Sequence, residues 1–379
     1  MTSPLTTPDF LVVGGGVAGL SAAAALSAHG RVLVLEAEDA LGFHSSGRSA
    51  TFSHFGIGNR PVRALTALSR VRFLDHDGPA PLARRAQALF VATAEMLGTL
   101  DRLERDMAAH AAIERCDAAA MAAMVPVLRF DEGGLIAGLL DRSALRLDSE
   151  AMLQAYARTV RQAGSTVVTG QRVVAIAADG TGWKVSCEGG HAYTAPILVN
   201  AAGAWADEVA SLAGLPPIGL TPLRRTIIAI DPPEECPVDE WPFVKTAMDD
   251  FYMLPQSGRL LASPVDEVPS APGDAQPEDH DVALAAAKIE RYTSLTVRRI
   301  AHRWAGLRTF AADRTPVVGF DPRTSGFFWL AGQGGFGLQT APALAEGATA
   351  LASGGAWPEK LAASGISPHE LSPERLIHD

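Results

Sequence analysis

The chain has 379 residues, 47% hydrophobic and 20% charged, the composition of a globular protein with room for a large core and a cofactor. A formal net charge of −10 sets it against a phosphate backbone, so nucleic acid is not an expected partner. Three scattered cysteines, Cys116, Cys187 and Cys236, form no CxxC pair, which excludes a disulfide framework and a zinc knuckle and fits a reducing, cytoplasmic compartment.

Phe10–Val13 is a short apolar strand, GGGVAG a turn, and Leu20–Ala28 an Ala/Leu-rich helix that Gly30 is expected to cap. Arg31–Glu36 completes a βαβ unit, which implies a parallel, buried sheet. The uncharged run from Phe10 is long enough to suggest a membrane span. The cluster Gly14, Gly15, Gly16 and Gly19 breaks it, and MTSPLTTPD ahead of it has no Lys or Arg, so neither a transmembrane segment nor a signal peptide is expected. Helices follow at Val62–Leu74, Ala94–Ala112 and Ser149–Ala163. Strands are expected at Thr166–Val168, Val173–Ala177, Trp183–Cys187, Ile197–Asn200, Thr226–Ile230, Phe251–Leu254 and Leu260–Ser263. Val265–Asp281 is acidic and proline-rich and reads as a surface excursion. Strand Phe327–Leu330, the turn AGQGGFGLQT and helix Ala341–Leu351 close the pattern. Strands from both ends and the middle belong to one nucleotide-binding sheet, with a β-rich unit laid over it.

Gly14-x-Gly16-x-x-Gly19 between strand and helix is a dinucleotide fingerprint. Gly14 permits the turn, Gly16 lets the backbone approach a pyrophosphate, and Gly19 allows close packing, with the phosphates at the helix N-terminus. Glu36 stands about 20 residues on, where an acid meets the adenosine ribose. The motif does not separate NAD from FAD. HSSGRSA (44–50) follows, and Arg48 there reads either as a pyrophosphate partner or as a solvated arginine. No HxxxH, Cys/His cluster or GxSxG is present, so no metal site or serine nucleophile is expected.

GGGVAG…E…HSSGRSA, ILVNAAGAWA (197–206), HRWAGLRTF (302–310) and GQGGFGLQT (332–340) together resemble the FAD-dependent D-amino acid oxidase and glycine/sarcosine oxidase family, nearest its bacterial D-arginine dehydrogenases, over almost the whole chain. The resemblance implies an α/β fold. A Rossmann-like FAD-binding domain of glutathione-reductase type (1–85, 145–210 and 300–379) would interleave with an antiparallel β-rich substrate domain (86–144 and 211–299). It implies that Ala18, Glu36, Ala37, Ser45, Ser46, Gly47, Arg48, Ser49, Ala50, Thr51 and Phe52 line the FAD. Val173 would touch the adenine, with Ala202, Gly203 and Gly306 near the flavin. Gly334, Gly335, Phe336, Gly337, Leu338 and Gln339 would wrap the isoalloxazine. Arg225, Tyr252 and Arg308 match the family's carboxylate clamp, and the Gly335 carbonyl and Gln339 would hold the amine. Taken alone, Arg225 reads equally as a surface salt-bridge partner, whereas the apolar surroundings of Arg308 demand a partner or a ligand. The implied reaction takes hydride from the substrate Cα to flavin N5, giving an imino acid that hydrolyses to a 2-oxo acid.

Departures from the pattern narrow the substrate. Gln87 stands where the arginine-specific enzymes carry an acid, and Ile57 and Phe52 replace a tyrosine and a histidine, with His54 available for a polar role. A neutral or apolar D-amino acid is therefore expected, with a secondary amine, an N-alkyl amino acid or a 2-hydroxy acid as the alternative. No cysteine lies in Trp304–Phe310, so the FAD is expected to be non-covalent. No lysine lies near Leu261, where the family's oxidases activate oxygen, which favours a dehydrogenase using a quinone or other acceptor, with peripheral attachment to the inner membrane as an option. Lys245 is expected to be solvated, with the oxygen-activating role, given its nearness in sequence to Tyr252, as the alternative, and the acidic pairs Glu234–Glu235 and Asp249–Asp250 are expected in solvated turns.

Overall fold

The computed structural model describes residues 7–377 except 77, 181 and 235, so Glu235 and the first six residues of the leading segment lie outside it. Six strands run in the order Val317–Phe320, Phe327–Ala331, Ile197–Asn200, Phe10–Val13, Val32–Leu35 and Thr166–Val168, parallel except for the first pair. Both faces are covered, as continuous apolar strands require. Phe10, Val12 and Val34 pack against helices Val17–Leu26 and Gly337–Ala352. Leu11, Leu33 and Leu35 pack against the antiparallel meander 173–195, where Trp183 and Val185 are buried.

The second large sheet has nine strands. Its main path is Val268–Pro269, Thr221–Ile230, Arg259–Ser263, Tyr252–Gln256, Phe243–Thr246, Ala88–Ala92, Ala137–Asp141 and Ile113–Cys116. His302–Phe310, grouped by sequence with the FAD-binding residues, instead pairs antiparallel with Thr221–Ile230 over nine registered pairs.

Local boundaries differ in informative ways. The first helix begins at Val17, because Gly16 already serves as its N-cap, and it ends at Ser27 rather than at Gly30. The helix expected over 94–112 is a 3-10 turn, Ala94–Met96, followed by Leu97–Ala108. The excursion after Val265 ends in a helix, Asp279–Tyr292, whose Val282, Ala285, Ile289 and Tyr292 are buried on one stripe.

Candidate active site

A cavity of about 390 Å³ runs between the two large sheets. That is the size class of small-molecule and cofactor sites. One end is nucleotide-like in shape, lined by Glu36, Ala37 and Val173. Its middle is the glycine turn Gly14, Gly16 and Ala18 at the N-terminus of helix Val17–Leu26. Its far end is lined by Arg225, Ile227, Gly306, Arg308, Gly334 and Gly335.

Close approach explains the glycines. Gly14 has φ +113, and a Cβ there would stand 2.4 Å from the Ala201 carbonyl oxygen. A Cβ on Gly19 would lie 1.9 Å from the Gly14 oxygen, so this glycine packs the helix and does not line the cavity. On Gly16 a Cβ would meet only Ser46 Oγ, at 3.3 Å, and would otherwise project into the cleft. A backbone bare on its cavity side, at a helix N-terminus, fits a pyrophosphate.

Glu36 is held by the turn itself. Its Oε2 accepts from Gly15 N at 2.6 Å and its Oε1 from Glu38 N at 2.9 Å. Each oxygen keeps a lone pair for a ribose hydroxyl. Glu38, unnoticed in the sequence, ties His44 (3.0 Å) and Arg172 (3.2 Å) at the same end, and Trp205 stacks obliquely on His44.

The 44–52 segment divides. Ser45, Ser46, Arg48 and Ser49 line the cavity together with Ala202, Gly203, Gly337 and Leu338. Ser46 Oγ accepts from Val17 N, and Ser45 Oγ donates to the Leu307 carbonyl. Gly47, Ala50, Thr51 and Phe52 lie behind this wall. Gly47 closes the turn on Gly42, Ala50 is core, and Thr51, at φ +53, bends the chain toward Phe52. Phe336 likewise packs in the core with Phe310, Val62 and Leu223.

Arg48 is not free for a pyrophosphate. Its guanidinium pairs with Asp274 and donates to the carbonyls of Phe43, Ala275 and Ala305, four of its five donors. It fastens the cofactor-side turn to the loop at 274–275. Gln339 also departs from expectation. Its amide faces His54 N and O (3.3 and 3.4 Å) and Thr66 Oγ1 (2.8 Å), so it fixes the 54 backbone and leaves the substrate amine to other groups.

Strand register assembles the cationic end. Arg308 pairs with Leu223, two residues from Arg225, so both guanidinium groups share one face. Ala229 pairs with Leu261 and Leu261 with Leu254; Tyr252, two residues away, pairs with Lys245, and Lys245 with Phe90. One face of the sheet thus carries Arg308, Arg225, Ile227, Tyr252, Lys245 and Phe90. Over it lie Phe52, stacked on Phe243 at 4.8 Å, and His54, 5.0 Å from Phe243 and 5.5 Å from Phe90. Ile57 packs toward Phe310 and Phe336, and Gln87 meets Phe243 through its carbonyl, which accepts the Phe243 N–H.

Arg225 is 4% exposed, which rules out a surface salt bridge. Its Nε donates to the Asp266 carbonyl (2.7 Å) and Nη2 to Glu267 (3.2 Å). Burial, then the Arg308 charge, pull its pKa down to about 10. Arg308 has no hydrogen bond or ion pair among the described residues. The Tyr252 hydroxyl and His54 Nδ1 are buried without partners among the described residues. Burial, followed by Lys245, Arg70 and Arg308, lowers the His54 pKa well below its ordinary value, so the ring is neutral at pH 7.

Lys245 is buried, not solvated, and its Nζ donates to the Gly56 carbonyl and pairs with Asp249, each at 2.9 Å. Burial lowers its pKa, against the pull of Asp249. Asp249 lies in an exposed turn, as expected, with its side chain 49% accessible, and from there it pairs with Lys245. Burial pushes its carboxyl up, but Lys245, then Arg225 and Arg308, hold it net below its ordinary range. Asp250 accepts from Thr246 Oγ1 and Tyr292 OH. The dipeptide Asp249–Asp250 concealed this, because only the strand pairing brings Asp249 beside the arginines.

A cleft with a glycine turn and a ribose-side acid at one end, and at the other a guanidinium unpaired among the described residues, has the parts of a dinucleotide site beside an anion site. The chain belongs to the FAD dependent oxidoreductase (DAO) family, whose model matches residues 9–351, and FAD is its cofactor. It is 28% identical to the tRNA 5-methylaminomethyl-2-thiouridine biosynthesis bifunctional protein MnmC of Burkholderia thailandensis, over 96% of this chain and 59% of that protein. It spans 34 to 62% of the length of the curated relatives it matches. The fold is shared with the FAD-bound L-alpha-glycerophosphate oxidase of Mycoplasma pneumoniae (TM-score 0.82, 20% identity, 92% and 95% of the two chains). It is shared also with glycine oxidase of Geobacillus kaustophilus (TM-score 0.81, 21% identity, 96% and 99%). Among the described residues no helix is long and apolar enough to cross a membrane.

Proposed function

We propose that this chain is a D-amino acid dehydrogenase, allied in scaffold to the bacterial D-arginine enzymes but taking a neutral or apolar side chain. The observation that carries the reading is Arg308, a guanidinium in the cleft with no partner among the described residues, beside a second one, Arg225. Two like charges held together call for an anion, and a planar fork suits a carboxylate. Arg308 grips the carboxylate; Arg225, pinned by Asp266 and Glu267, adds its remaining donors; the Tyr252 hydroxyl finds there the partner it lacks. The Gly335 backbone lies against Arg308, where its carbonyl faces the amine beside a bound carboxylate. Phe52, Phe90 and Phe243 exclude water from the side chain, and neutral His54 adds no charge. Non-covalently bound FAD supplies the acceptor for the hydride leaving Cα, and the imino acid released hydrolyses to a 2-oxo acid. Re-oxidation by a quinone or other acceptor, rather than by oxygen, completes the proposal.

Anaerobic mixing of the holoenzyme with D-leucine, D-methionine, D-phenylalanine, D-arginine, sarcosine, a 2-hydroxy acid and glycerol 3-phosphate, followed by flavin bleaching, tests this. Bleaching by the neutral D-amino acids is expected, with little oxygen consumed on aeration. A higher kcat/KM for D-arginine, or bleaching by sarcosine or the hydroxy acid alone, refutes it.

A further inference from the structure

Lys245 is a charged side chain in an apolar, aromatic wall, and its two protein contacts leave one N–H donor unused. An ammonium has three donors; the Gly56 carbonyl and Asp249 take two. Around it stand two other unsatisfied polar atoms, the Tyr252 hydroxyl opposite it in register and His54 Nδ1. Its strand lies three positions across the sheet from the one bearing Arg225, on the same face. The cavity lining ends at Arg225, Ile227 and Arg308, and Tyr252, Lys245 and Phe90 continue the same face of the sheet from there.

We propose that Lys245 determines side-chain specificity: its third N–H meets an oxygen acceptor, amide or carboxylate, at the end of the substrate side chain, and its charge turns away cationic ones. This rests on the D-amino acid reading above but departs from its neutral or apolar preference, since the favoured side chain ends in an oxygen, neutral or anionic. Gln87 fits the same preference, since no acid stands there to draw a cation, and Asp249 is already paired with Lys245. Phe90 and Phe243 enclose the aliphatic part of such a side chain, which strengthens the one polar contact at its end.

The test compares wild-type holoenzyme with Lys245→Met in anaerobic flavin reduction by D-glutamine, D-glutamate and D-methionine. The wild type is expected to favour an oxygen-ended substrate over D-methionine, the first two arms telling amide from carboxylate. Lys245→Met should lower that preference ratio about 10- to 100-fold, the worth of one hydrogen bond to a charged group. Glutarate, which cannot be oxidised, supplies a second readout. Its perturbation of the visible flavin spectrum should need a correspondingly higher concentration in the variant. If Lys245→Met fails to retain FAD, Lys245→Gln replaces it, keeping a donor for Gly56 while removing the charge. An unmoved ratio with unmoved glutarate affinity overturns the role of Lys245 while leaving D-amino acid oxidation standing. No bleaching by any D-amino acid in either protein instead overturns the reading on which it rests.

Discussion

Arg308→Met separates binding from folding more cleanly than any other change in the cleft. The Arg308 side chain has no partner among the described residues, so its removal orphans no buried group there, and it relieves Arg225 of a neighbouring like charge. Methionine also keeps much of the aliphatic stem. Folding stability should therefore move by no more than about 0.5 kcal/mol, as for sites without a named structural role. Substrate binding should suffer far more. Two charge-assisted hydrogen bonds to a carboxylate, at about 1.5–3 kcal/mol each, amount to about 3–6 kcal/mol, or roughly 10²- to 10⁴-fold in kcat/KM. Arg225→Met is the contrast: it strips the Asp266 carbonyl and Glu267 of a buried partner and should lower Tm as well. The assay is anaerobic stopped-flow reduction over a substrate series, with a thermal melt and the flavin-to-protein absorbance ratio on each sample. An Arg308→Met protein that melts as low as Arg225→Met, or that keeps wild-type kcat/KM, would refute the assignment.

Gly19→Ala drives a Cβ to within 1.9 Å of the Gly14 oxygen and should cost about 1–3 kcal/mol and much of the bound FAD; Gly98→Ala, with open space around the new methyl, should gain about 0.4–1 kcal/mol, both read by Tm and flavin content. Gln339→Leu leaves both backbone polar groups of His54 without their side-chain partner, and a loss of about 1–3 kcal/mol for each is expected in denaturant titration. Burial, with Lys245, Arg70 and Arg308 adding to it, depresses the folded-state pKa of His54 below 6.5, so the unfolded chain takes up the proton first as pH falls. Stability contributed by the neutral ring is whole above pH 6.5 and is lost below it, by at most about 1.4 kcal/mol per pH unit. His54→Phe should flatten the slope of Tm between pH 6.5 and 5, leaving the smaller share of His110, whose pKa burial, then Arg63 and Arg70, also lower; equal slopes would dismiss the effect.

The cofactor half was legible because its rules are local. Gly14, Gly16 and Gly19 sit at fixed spacing between a strand and a helix, and Glu36 follows at the end of the next strand. Adjacent elements enforce those contacts, so the motif predicts its own geometry. Helix Asp279–Tyr292 was as local in its signal, but proline-rich, acidic residues before it masked the apolar stripe. Arg48 and Gln339 have protein partners that the sequence could not show. Their residue types suit a ligand, yet Asp274 lies 226 residues from Arg48 and His54 lies 285 from Gln339, and those partners claim them first.

By itself, then, the sequence determined a βαβ dinucleotide site and a mixed α/β chain, because periodicity and short motifs encode neighbours along the chain; Arg225 and Arg308 stood out only through the family resemblance. Only the tertiary structure decided what surrounds those arginines. Antiparallel register turned Arg225, Arg308, Tyr252 and Lys245 onto one face, and the turn at Asp249 folded an acid that looked solvated against a lysine that looked solvated. Burial then changed the chemistry of Lys245 and Arg225, since a charge removed from water must find a partner; Lys245 finds Asp249 four residues on, whereas Arg225 finds Asp266 and Glu267 more than 40 residues away, which no local pattern carries.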